Sequence, residues 1–261
     1  MRLTSPSDPP RLPAGAALFL DFDGTLVPFA PRPQDVFVPA WIVPTLQALK
    51  HELRGALAII SGRPLHGIDT FLQPLVLAAA GAHGAERRDA SGRIEQHQAT
   101  QPAGVVACAT QLAAQHPGLI FEAKPSGFAL HFRLNPALGD LCRNTLADAL
   151  AEAPGAAFAW ELLDGHFVCE LKQRAVSKGS AVLAYLAEPT FAGRLPVFVG
   201  DDVTDEDGIR AVQAAGGFGI RVGAGQSEAQ YRLADTEAVE AWLKAAAPAT
   251  HVRDHKEHYK A

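Results

Sequence analysis

A run of apolar residues that ends in two aspartates constrains this chain more than any other stretch. Leu18-Phe19-Leu20 carries no charge and leads directly into Asp21-Phe22-Asp23, after which Gly24-Thr25 turns the chain. An uncharged run of this kind predicts a parallel strand buried on both faces, with its carboxyl end at a crevice of the sheet. Two carboxylates placed there repel each other and lose water, so a cation or a phosphate partner must compensate them. The alternative is an acidic turn that closes the strand, since Asp and Gly are common turn residues.

Three further apolar runs along the chain end in polar residues in the same way. Apolar residues at positions 42, 46, 49 and 53 recur at helical spacing between the first two runs. Ser177 stands where it caps a further helix that begins at Lys178-Gly179. Strands joined through helices predict an α/β fold with a doubly wound, Rossmann-like parallel sheet whose polar strand ends share one edge. The runs and the polar residues that follow them are 56–60 with Ser61-Gly62-Arg63, 75–80 with Gly81-Ala82-His83-Gly84-Ala85-Glu86, and 195–199 with Gly200-Asp201-Asp202-Val203-Thr204-Asp205-Glu206-Asp207.

Residues 89–170 follow a different pattern, which predicts an inserted second domain of α+β type. Two helices alternate with two strand pairs, and the second pair flanks Asp164-Gly165, a strong signal for a hairpin turn. The first domain then comprises residues 14–88 and 171–245, with flexible termini at 1–13 and 246–261. The predicted elements are a helix at 102–116, strands at 119–124 and 128–134 around the turn 125–127, a helix at 136–152, and strands at 158–163 and 166–171.

One face of the first strand pair in this second domain is predicted to be polar. Alternation sets His131 and Arg133 on one side of their strand and four apolar residues, at 128, 130, 132 and 134, on the other. In the preceding strand, Glu122 and Lys124 share a face. If the polar sides coincide, these four charged or polar side chains form one cluster on a sheet whose reverse side is core. A face open to water and a face that binds a ligand both fit this pattern.

The composition of the 261-residue chain excludes several classes of function. Its net charge of −5 and isoelectric point near 6.0 provide no basic surface for nucleic acid or an anionic membrane. No stretch reaches the roughly 18 uninterrupted apolar residues of a membrane span. Three widely spaced cysteines, at 108, 142 and 169, predict buried thiols in a reducing compartment. We therefore expect a soluble, cytoplasmic monomer that acts on a small molecule.

The strand ends carry the residue types that phosphoryl transfer needs. Asp21 and Asp201 are placed to hold Mg²⁺, which prefers carboxylate oxygens. Ser61 is placed to donate a hydrogen bond to a phosphate oxygen, and Lys178 to neutralise a further charge. The Asp21 carboxylate then attacks phosphorus and forms an aspartyl-phosphate, while Asp23 protonates the leaving alcohol and afterwards deprotonates the incoming water.

Four motifs in this order resemble the signatures of the haloacid dehalogenase superfamily of phosphatases. The resemblance implies the roles just given to Asp21 and Asp23, and it adds the backbone carbonyl of Asp23 as a Mg²⁺ ligand. Thr25, Asp202 and Asp205 are assigned to orient the water ligands of the metal or Lys178. Glu206 and Asp207 fit the first turn of a following helix, where its dipole favours acids. The motifs are Asp21-Phe22-Asp23-Gly24-Thr25, Ser61-Gly62-Arg63, Lys178-Gly179 and Gly200-Asp201-Asp202.

A narrower resemblance is to the trehalose-6-phosphate phosphatase family, and it is carried by residues 81–86, Glu122-Ala123-Lys124, His131-Phe132-Arg133, Glu170-Leu171-Lys172 and residues 200–207. This family places a helix-hairpin-helix-hairpin cap domain over its active site. The match implies that Glu122, Lys124 and Arg133 bind hydroxyl groups of the disaccharide. The family usually has asparagine where this chain has Ala82. The residues predicted to bind substrate are then Gly62, Arg63, His83, Gly84, Glu122, Lys124, His131, Arg133 and Lys172.

Two of these residues and the function itself have alternative interpretations. Arg63 contacts the substrate or caps the following helix, and His83 contacts the substrate or shapes its glycine-flanked turn. The resemblance implies a Mg²⁺-dependent phosphatase that releases trehalose and phosphate from trehalose 6-phosphate. The alternatives are a phosphatase of another sugar phosphate, such as sucrose phosphate, and a sensor that binds the sugar phosphate without cleaving it. An enzyme is favoured by the intact set of Asp21, Asp23, Ser61, Lys178 and Asp201.

Overall fold

The computed structural model of the protein describes residues 7–28, 36–96, 100–124, 127–165 and 167–247. In the first half of the chain the elements are β1 (Ala17–Leu20), α1 (Ile42–Glu52), β2 (Leu57–Ile60), α2 (Leu65–Leu72), β3 (Ala78–Gly81), β4 (Glu86–Arg88), β5 (Ile94–Gln96), α3 (Ala103–Gln115) and β6 (Ile120–Lys124). In the second half they are β7 (Gly127–His131), α4 (Gly139–Glu152), α5 (Ala156–Ala159), β8 (Trp160–Gly165), β9 (Val168–Gln173), α6 (Lys178–Leu186), β10 (Pro196–Gly200), α7 (Glu206–Ala214), β11 (Phe218–Val222), β12 (Tyr231–Leu233) and α8 (Thr236–Ala246).

The larger sheet has the strand order β12-β11-β10-β1-β2-β3-β4-β5 and confirms the predicted doubly wound α/β fold. All strands from β12 to β3 run parallel, and β1 lies between β10 and β2. The chain adds strands on one side of β1 as far as β5 and later returns to add β10, β11 and β12 on the other side. The order therefore reverses between β1 and β10. Ligands of such sheets bind in the crevice at the carboxyl ends of the strands beside this reversal.

Local sequence explains how the strands next to this crevice begin and end. Every residue of β1 is buried, as its uncharged run predicts. Pro196 is the first residue of β10, where a missing N–H does not interrupt the ladder. Ser177 caps α6, since its hydroxyl oxygen accepts a hydrogen bond from the backbone N–H of Ser180 at 3.1 Å, which confirms the predicted cap. Asp21 and Lys178 are thereby brought to the same edge of the sheet.

The smaller sheet is antiparallel, with the strand order β6-β7-β9-β8. Helix α3 precedes the β6-β7 pair, and α4 and the short α5 precede the β8-β9 pair. One face of the sheet packs against these helices and contributes Phe128, Leu130 and Leu171 to a core that is separate from that of the larger sheet. Gly165 pairs with Val168, so the predicted hairpin at Asp164-Gly165 is present. Positions 125, 126 and 166 of the two predicted turns lie outside the described residues.

The strand predicted at 128–134 ends earlier than its alternation suggests. Strand β7 stops at His131, and the N–H of Phe132 then bonds to the carbonyl of Phe167 at 2.9 Å while Asn135 closes a turn on Phe132. Because alternation ends where the chain turns, Arg133 does not continue the polar face of the strand. Leu134 is 74% exposed rather than on the core side, so its predicted position is wrong.

The chain also passes from one sheet to the other at positions that differ from the predicted domain boundaries. Strand β5 pairs antiparallel with β4 in the larger sheet, although residues 89–170 were assigned to the second domain. Strand β9 continues the smaller sheet to Gln173. Backbone pairing extends both sheets past the change in sequence pattern: β5 is added at the edge of the larger sheet, and β9 continues because β8 pairs with it as far as Gln173. The exact domain boundaries stay a prediction.

Part of the predicted flexible amino terminus is bonded to the larger sheet. The Ser7 carbonyl accepts from the N–H of Arg232 at 3.2 Å, and the Pro10 carbonyl accepts from the indole of Trp242 at 2.8 Å. Residues 1–6 and 248–261 lie outside the described part of the chain, as do 29–35 and 97–99. Within the described part, no helix combines the length and apolarity that a bilayer crossing requires.

Candidate active site

The centre of the site is a buried lysine that contacts two buried aspartates. The Nζ atom of Lys178 lies 2.8 Å from Oδ1 of Asp21 and 2.6 Å from Oδ1 of Asp205. Asp21 continues the β1-β10 ladder, since its N–H donates to the carbonyl of Val199 at 2.9 Å. Only 4% of Asp21 and 3% of Lys178 are exposed, so their charges are desolvated and depend on each other. The lysine and the first aspartate of the sequence prediction are therefore brought together.

The acidic loop after β10 is held by its own carboxylates. Oδ2 of Asp205 accepts from the N–H groups of Asp201 and Asp202, each at 3.0 Å. Oδ1 of Asp202 accepts from the N–H of Thr204 at 2.7 Å and so caps the turn that leads into α7. A Cβ at Gly200 would collide with the Asp205 carboxylate, so only glycine lets the loop fold back this closely. The loop thereby fixes the direction of Asp201.

Three carboxylates of the site form a group that suits a hard cation. One oxygen from each of Asp21, Asp201 and Asp205 lies within 4.8 Å of the other two. Thr25 donates from Oγ1 to Oδ1 of Asp201 at 3.3 Å. Oxygen donors at this spacing match the preference of Mg²⁺ for carboxylate ligands. Asp21 and Asp201 are the ligands that the sequence predicts, and Asp205, for which it predicts only an orienting role, lies with them in the structure.

Burial and mutual repulsion perturb the protonation of this group. Burial raises the pKa of Asp21 to about 7, although the adjacent Lys178 charge opposes the rise. Burial and the neighbouring carboxylates of Asp205 and Asp202 raise the pKa of Asp201 to about 6. Burial lowers the pKa of Lys178, but the charges of Asp21 and Asp205 outweigh it and the net shift is upward. A single ammonium does not satisfy three close carboxylates, so the group favours a further cation.

Asp23 does not belong to the group of three carboxylates and pairs with Arg63. The Arg63 guanidinium donates to both oxygens of Asp23, from Nε at 2.6 Å and from Nη2 at 2.7 Å. The backbone N–H of Arg63 donates to Oγ of the buried Ser61 at 3.1 Å. The first N–H of α2, from Leu65, is accepted by the Glu86 carboxylate at 2.8 Å. Glu86 rather than Arg63 therefore caps α2, so the helix-cap interpretation of Arg63 is wrong.

His83 packs against the loop that carries Ser61. Its N–H donates to the Ser61 carbonyl at 2.9 Å, and a Cβ at Gly62 would lie 2.7 Å from Cε1 of its ring. The backbone of His83 is left-handed, with φ of 57° and ψ of 23°, and Ala82 before it has φ of 48°. Gly84 approaches so closely that a Cβ would lie 2.8 Å from the Ser177 carbonyl. Both glycines that were predicted to bind substrate thus have a packing reason to be glycine.

The imidazole of His83 is held in its neutral form. Burial, together with the charges of Lys178, Lys172 and Lys124, lowers its pKa from 6.5 to about 4. Its Nδ1 atom is buried without a hydrogen-bond partner among the described residues. Lys124 and Lys172 belong to strands of the smaller sheet, whereas Lys178 is the first residue of α6, at the edge of the larger sheet. The pKa of His83 is therefore lowered by lysines from both parts of the molecule.

The polar face of the smaller sheet carries alternating acids and bases. Glu122 lies 2.7 Å from Nε2 of His131, and Lys124 lies 3.0 Å from the Glu170 carboxylate. Register places Lys172 opposite Gly127 on the same face as Lys124. Arg133 leaves this face and its guanidinium lies 5.5 Å from the ring centre of Phe167. Of the predicted cluster, Glu122, Lys124 and His131 share the face and Arg133 does not.

Three features of the site are absent from the prediction made from the sequence. The pairing of Arg63 with Asp23 joins loops that are 40 residues apart, and no local pattern announces it. Glu161 and Glu170 belong to the polar face, because Glu170 lies opposite Ala129 and Glu161 lies opposite Lys172. Counting outwards in steps of two from the predicted hairpin at Asp164-Gly165 would have found both.

The family model described as trehalose-phosphatase matches residues 19–237 of the chain, which include every core motif of the site. The chain belongs to the trehalose-phosphatase family. It is 41% identical over 248 residues to the trehalose-6-phosphate phosphatase of Escherichia coli (strain K12), a match that covers 93% of this chain and 91% of that relative. Family membership confirms the predicted phosphatase, a hydrolase.

Solved structures agree with this membership of the trehalose-phosphatase family. A trehalose-6-phosphate phosphatase from Aspergillus fumigatus aligns with a TM-score of 0.72 and 26% identity, covering 89% of this chain and 93% of that one. A haloacid dehalogenase-like hydrolase from B. subtilis aligns with a TM-score of 0.59 over 87% of this chain and 99% of that one. At 16% identity, the second match supports the fold alone. The predicted haloacid dehalogenase-like fold is confirmed.

Proposed function

We propose that the protein hydrolyses trehalose 6-phosphate to trehalose and inorganic phosphate, as a step of trehalose biosynthesis. The observation that carries the proposal is the buried contact of the Lys178 ammonium with Asp21 and Asp205 at the carboxyl ends of adjacent strands. This arrangement holds a carboxylate ready to meet a phosphate whose negative charge it would otherwise repel. The similarity to the Escherichia coli relative over almost the whole length of both chains supports the choice of substrate.

In the first chemical step, an oxygen of the Asp21 carboxylate attacks phosphorus in line with the ester bond. As the new bond forms, the bond between phosphorus and the sugar oxygen breaks, and Asp23 gives that oxygen its proton. Lys178 remains within hydrogen-bonding distance of Asp21 and balances negative charge on the phosphoryl oxygens. Ser61, buried at the end of the adjacent strand β2, donates from its hydroxyl to one of those oxygens. The products of this step are the free sugar and an aspartyl-phosphate.

In the second step, water replaces the enzyme carboxylate on phosphorus. Asp23, now deprotonated, takes a proton from the water as its oxygen attacks. The bond between phosphorus and the Asp21 oxygen breaks, which returns the carboxylate and releases inorganic phosphate. Because hydrolysis is split into two steps, Asp23 acts twice, first as the acid and then as the base. Most of the acceleration comes from positioning and charge neutralisation.

A Mg²⁺ ion is proposed at the group formed by Asp21, Asp201 and Asp205. The fit rests on their buried oxygens, on the upward pKa shifts that a cation would relieve, and on the preference of Mg²⁺ for such donors. The backbone carbonyl of Asp23 stays a predicted further ligand. When bound, Mg²⁺ would neutralise charge on the phosphate oxygens and fix their orientation. Asp202 and Thr25 would orient the ligand set through the contacts that they make in the loop.

The polar face of the smaller sheet is proposed to choose the sugar. Glu122, Lys124 and Lys172 offer charged donors and acceptors within one sheet face, which suits the many hydroxyl groups of a disaccharide. Arg133 and His131 would contribute at the end of β7, where the chain turns. His83, whose pKa is lowered by Lys178 and by two lysines of the smaller sheet, is placed to contact the same ligand. The residues predicted to bind substrate thus keep that role as a proposal.

The second domain is proposed to act as a cap that closes over the sugar. Its two connections, near residues 88–104 and 170–176, would allow it to move and exclude water from the first chemical step.

Cys108, Cys142 and Cys169 are free thiols, which agrees with a reducing, cytoplasmic location.

Phosphate release from trehalose 6-phosphate, measured with Mg²⁺ and with excess chelator, tests the proposal. We expect turnover with Mg²⁺ and loss of turnover with chelator, restored by added Mg²⁺. A panel that includes sucrose 6-phosphate and glucose 6-phosphate then measures specificity. Equal activity on glucose 6-phosphate would contradict the choice of substrate, and faster turnover of sucrose 6-phosphate would favour another sugar. Binding of trehalose 6-phosphate without phosphate release would identify a sensor.

A further inference from the structure

Arg63 makes contacts that neither a helix cap nor a sugar-binding residue needs. Its Nε and Nη2 atoms donate to the two oxygens of Asp23 at 2.6 and 2.7 Å. This is the planar fork in which arginine binds a carboxylate most strongly, and a lysine cannot reproduce it. Only 15% of the Arg63 side chain and 28% of the Asp23 side chain are exposed. The pair therefore fixes both the place and the plane of the Asp23 carboxylate.

The guanidinium that grips Asp23 is itself held on other sides. It lies 4.8 Å from the ring centre of Phe71 and 5.8 Å from that of Phe22. The two rings provide apolar and cation–π contact on a group whose fork faces the aspartate. The backbone N–H of Arg63 meanwhile donates to Oγ of Ser61 at 3.1 Å. Arg63 thus connects the proposed acid and base to the proposed phosphate-binding hydroxyl.

Asp23 needs such an anchor more than Asp21 does. Asp21 ends a buried strand and is held by Lys178, whereas Asp23 stands at the start of a turn in which Gly24 has φ of 80° and bonds to the Val27 carbonyl at 2.7 Å. A proton donor must lie within hydrogen-bonding reach of the oxygen that it protonates. A misplacement of about 1 Å can cost about 100-fold in rate. The turn alone leaves the side chain of Asp23 free to rotate.

We propose that Arg63 is a positioning residue that acts through Asp23 by orienting its carboxylate for proton transfer to the leaving oxygen. The proposal rests on the roles proposed for Asp21 and Asp23 but not on the identity of the sugar. In the step concerned, the Asp23 proton moves to the ester oxygen as the bond between that oxygen and phosphorus breaks. The Asp21 oxygen forms its bond to phosphorus in the same step. Arg63 exchanges no proton in this step. It sets the distance and direction over which Asp23 transfers its own.

Two aryl phosphates without a sugar separate this role from substrate binding. p-Nitrophenolate is a weak base and leaves phosphorus without help, whereas phenolate is more basic and depends on a proton donor. The ratio kcat/KM covers the steps up to release of the phenol, so it reports the protonated step alone. We expect Arg63→Gln to lower kcat/KM about 10-fold for phenyl phosphate and less than about 2-fold for p-nitrophenyl phosphate, since general acid catalysis is worth about 100-fold or more. Arg63→Lys, which keeps the charge but not the fork, should lie between Arg63→Gln and the unchanged protein.

Three variants complete the experiment. Asp23→Asn should show the same preference for p-nitrophenyl phosphate with a larger loss, and adding Arg63→Gln to it should cost no more. Arg88→Gln is the matched control, because Arg88 forms an equally two-pronged pair with Asp69, at 2.8 and 2.7 Å. It should change both substrates by the same factor.

The outcomes that would overturn the proposal are distinct. Equal losses of kcat/KM on both aryl phosphates in Arg63→Gln would mean that Arg63 serves only the fold. A further loss when Arg63→Gln is added to Asp23→Asn would mean that it acts independently of Asp23. An Asp23→Asn protein that treats the two aryl phosphates alike would remove the acid role of Asp23, and this inference with it, while leaving the substrate assay on trehalose 6-phosphate as the separate test of the proposed function.

Discussion

Two groups of opposite charges in this molecule differ chiefly in their contact with water. At the strand ends of the larger sheet, Lys178 and Asp21 are almost fully buried and lie 2.8 Å apart. On the smaller sheet, Lys124 and Glu170 lie at a similar 3.0 Å, but their side chains are 31% and 27% exposed. Removing one partner of a desolvated pair costs much stability, because the remaining charge is buried alone. A partly exposed pair contributes little to stability and exchanges partners readily. The first group suits chemistry and the second suits recognition of a polar ligand.

Loss of Asp21, the proposed nucleophile, should have the largest effect on activity. Asp21→Asn keeps the shape of the side chain but removes the attacking oxygen, so we expect turnover of every phosphoester to fall by about 10⁴-fold or more. Phosphate release from trehalose 6-phosphate and from p-nitrophenyl phosphate measures it. Asp207→Asn, a change in the first turn of α7, is the control and should remain active. Near-normal turnover by Asp21→Asn would exclude its role as nucleophile.

Loss of the buried lysine should reduce stability as well as activity. Lys178→Met leaves Asp21 and Asp205 close together without their ammonium, and breaking a buried ion pair costs about 3–5 kcal/mol of unfolding free energy. Urea denaturation measures this loss. Adding Asp205→Asn to Lys178→Met should restore part of it, because one of the two uncompensated charges is removed. A Lys178→Met protein as stable as the parent would show that the cluster is less desolvated than its geometry indicates.

A change on the smaller sheet should affect one class of substrate and not the other. We expect Lys124→Ala to lower kcat/KM for trehalose 6-phosphate by about 10-fold, a loss of about 1.4 kcal/mol, and to leave p-nitrophenyl phosphate almost unchanged. Arg143→Ala is the control, because Arg143 pairs with Asp140 and Asp164 on the helix-covered side of the domain. Equal effects of Lys124→Ala on both substrates would remove the sugar-binding role of this face.

The last expected effect is on the pH dependence of stability, at His83, whose pKa is lowered by lysines of both charge groups. Burial and the nearby lysines lower its pKa from 6.5 to about 4 in the folded protein. Between these values the unfolded chain binds a proton that the folded chain does not, so stability falls as pH falls from about 6.5 to about 4. His83→Gln should flatten this decline in urea denaturation midpoints, whereas His51→Gln, at an exposed position of α1, should not. Parallel declines in His83→Gln and the parent would mean that His83 titrates normally.

The sequence predicts those parts of the molecule that short stretches encode. The buried run of β1, the Ser177 cap and the hairpin at Asp164-Gly165 each follow from residues within one element or turn. Their prediction succeeds because burial, capping and turn chemistry are local properties. The approach of Lys178 to Asp21 follows from them once the sheet is wound, because parallel strand ends share an edge.

The parts that the sequence leaves open depend on where distant loops meet. The contact of Arg63 with Asp23 depends on how the loops after β1 and β2 lie relative to each other. Asp205 joins the carboxylate group because Gly200 lets its loop fold back. The end of β7 at His131 is set by the bond from Phe132 to Phe167, in the turn before β9. None of these contacts has a periodic signature. Ångström-scale packing decides them, and a pattern of residue types does not contain it.

The 157 residues that separate Asp21 from Lys178 also set an order of events at the ribosome. At about 5–20 residues per second, the lysine emerges roughly 8–30 s after the aspartate. The smaller sheet, whose strand pairs are close in sequence, is complete in that interval, and local contacts form first. We expect nascent chains arrested after Gln173, with a linker through the exit tunnel, to protect residues 103–173 from protease but not 17–60. The domain proposed to recognise the sugar would thus exist before the site that cleaves its phosphate.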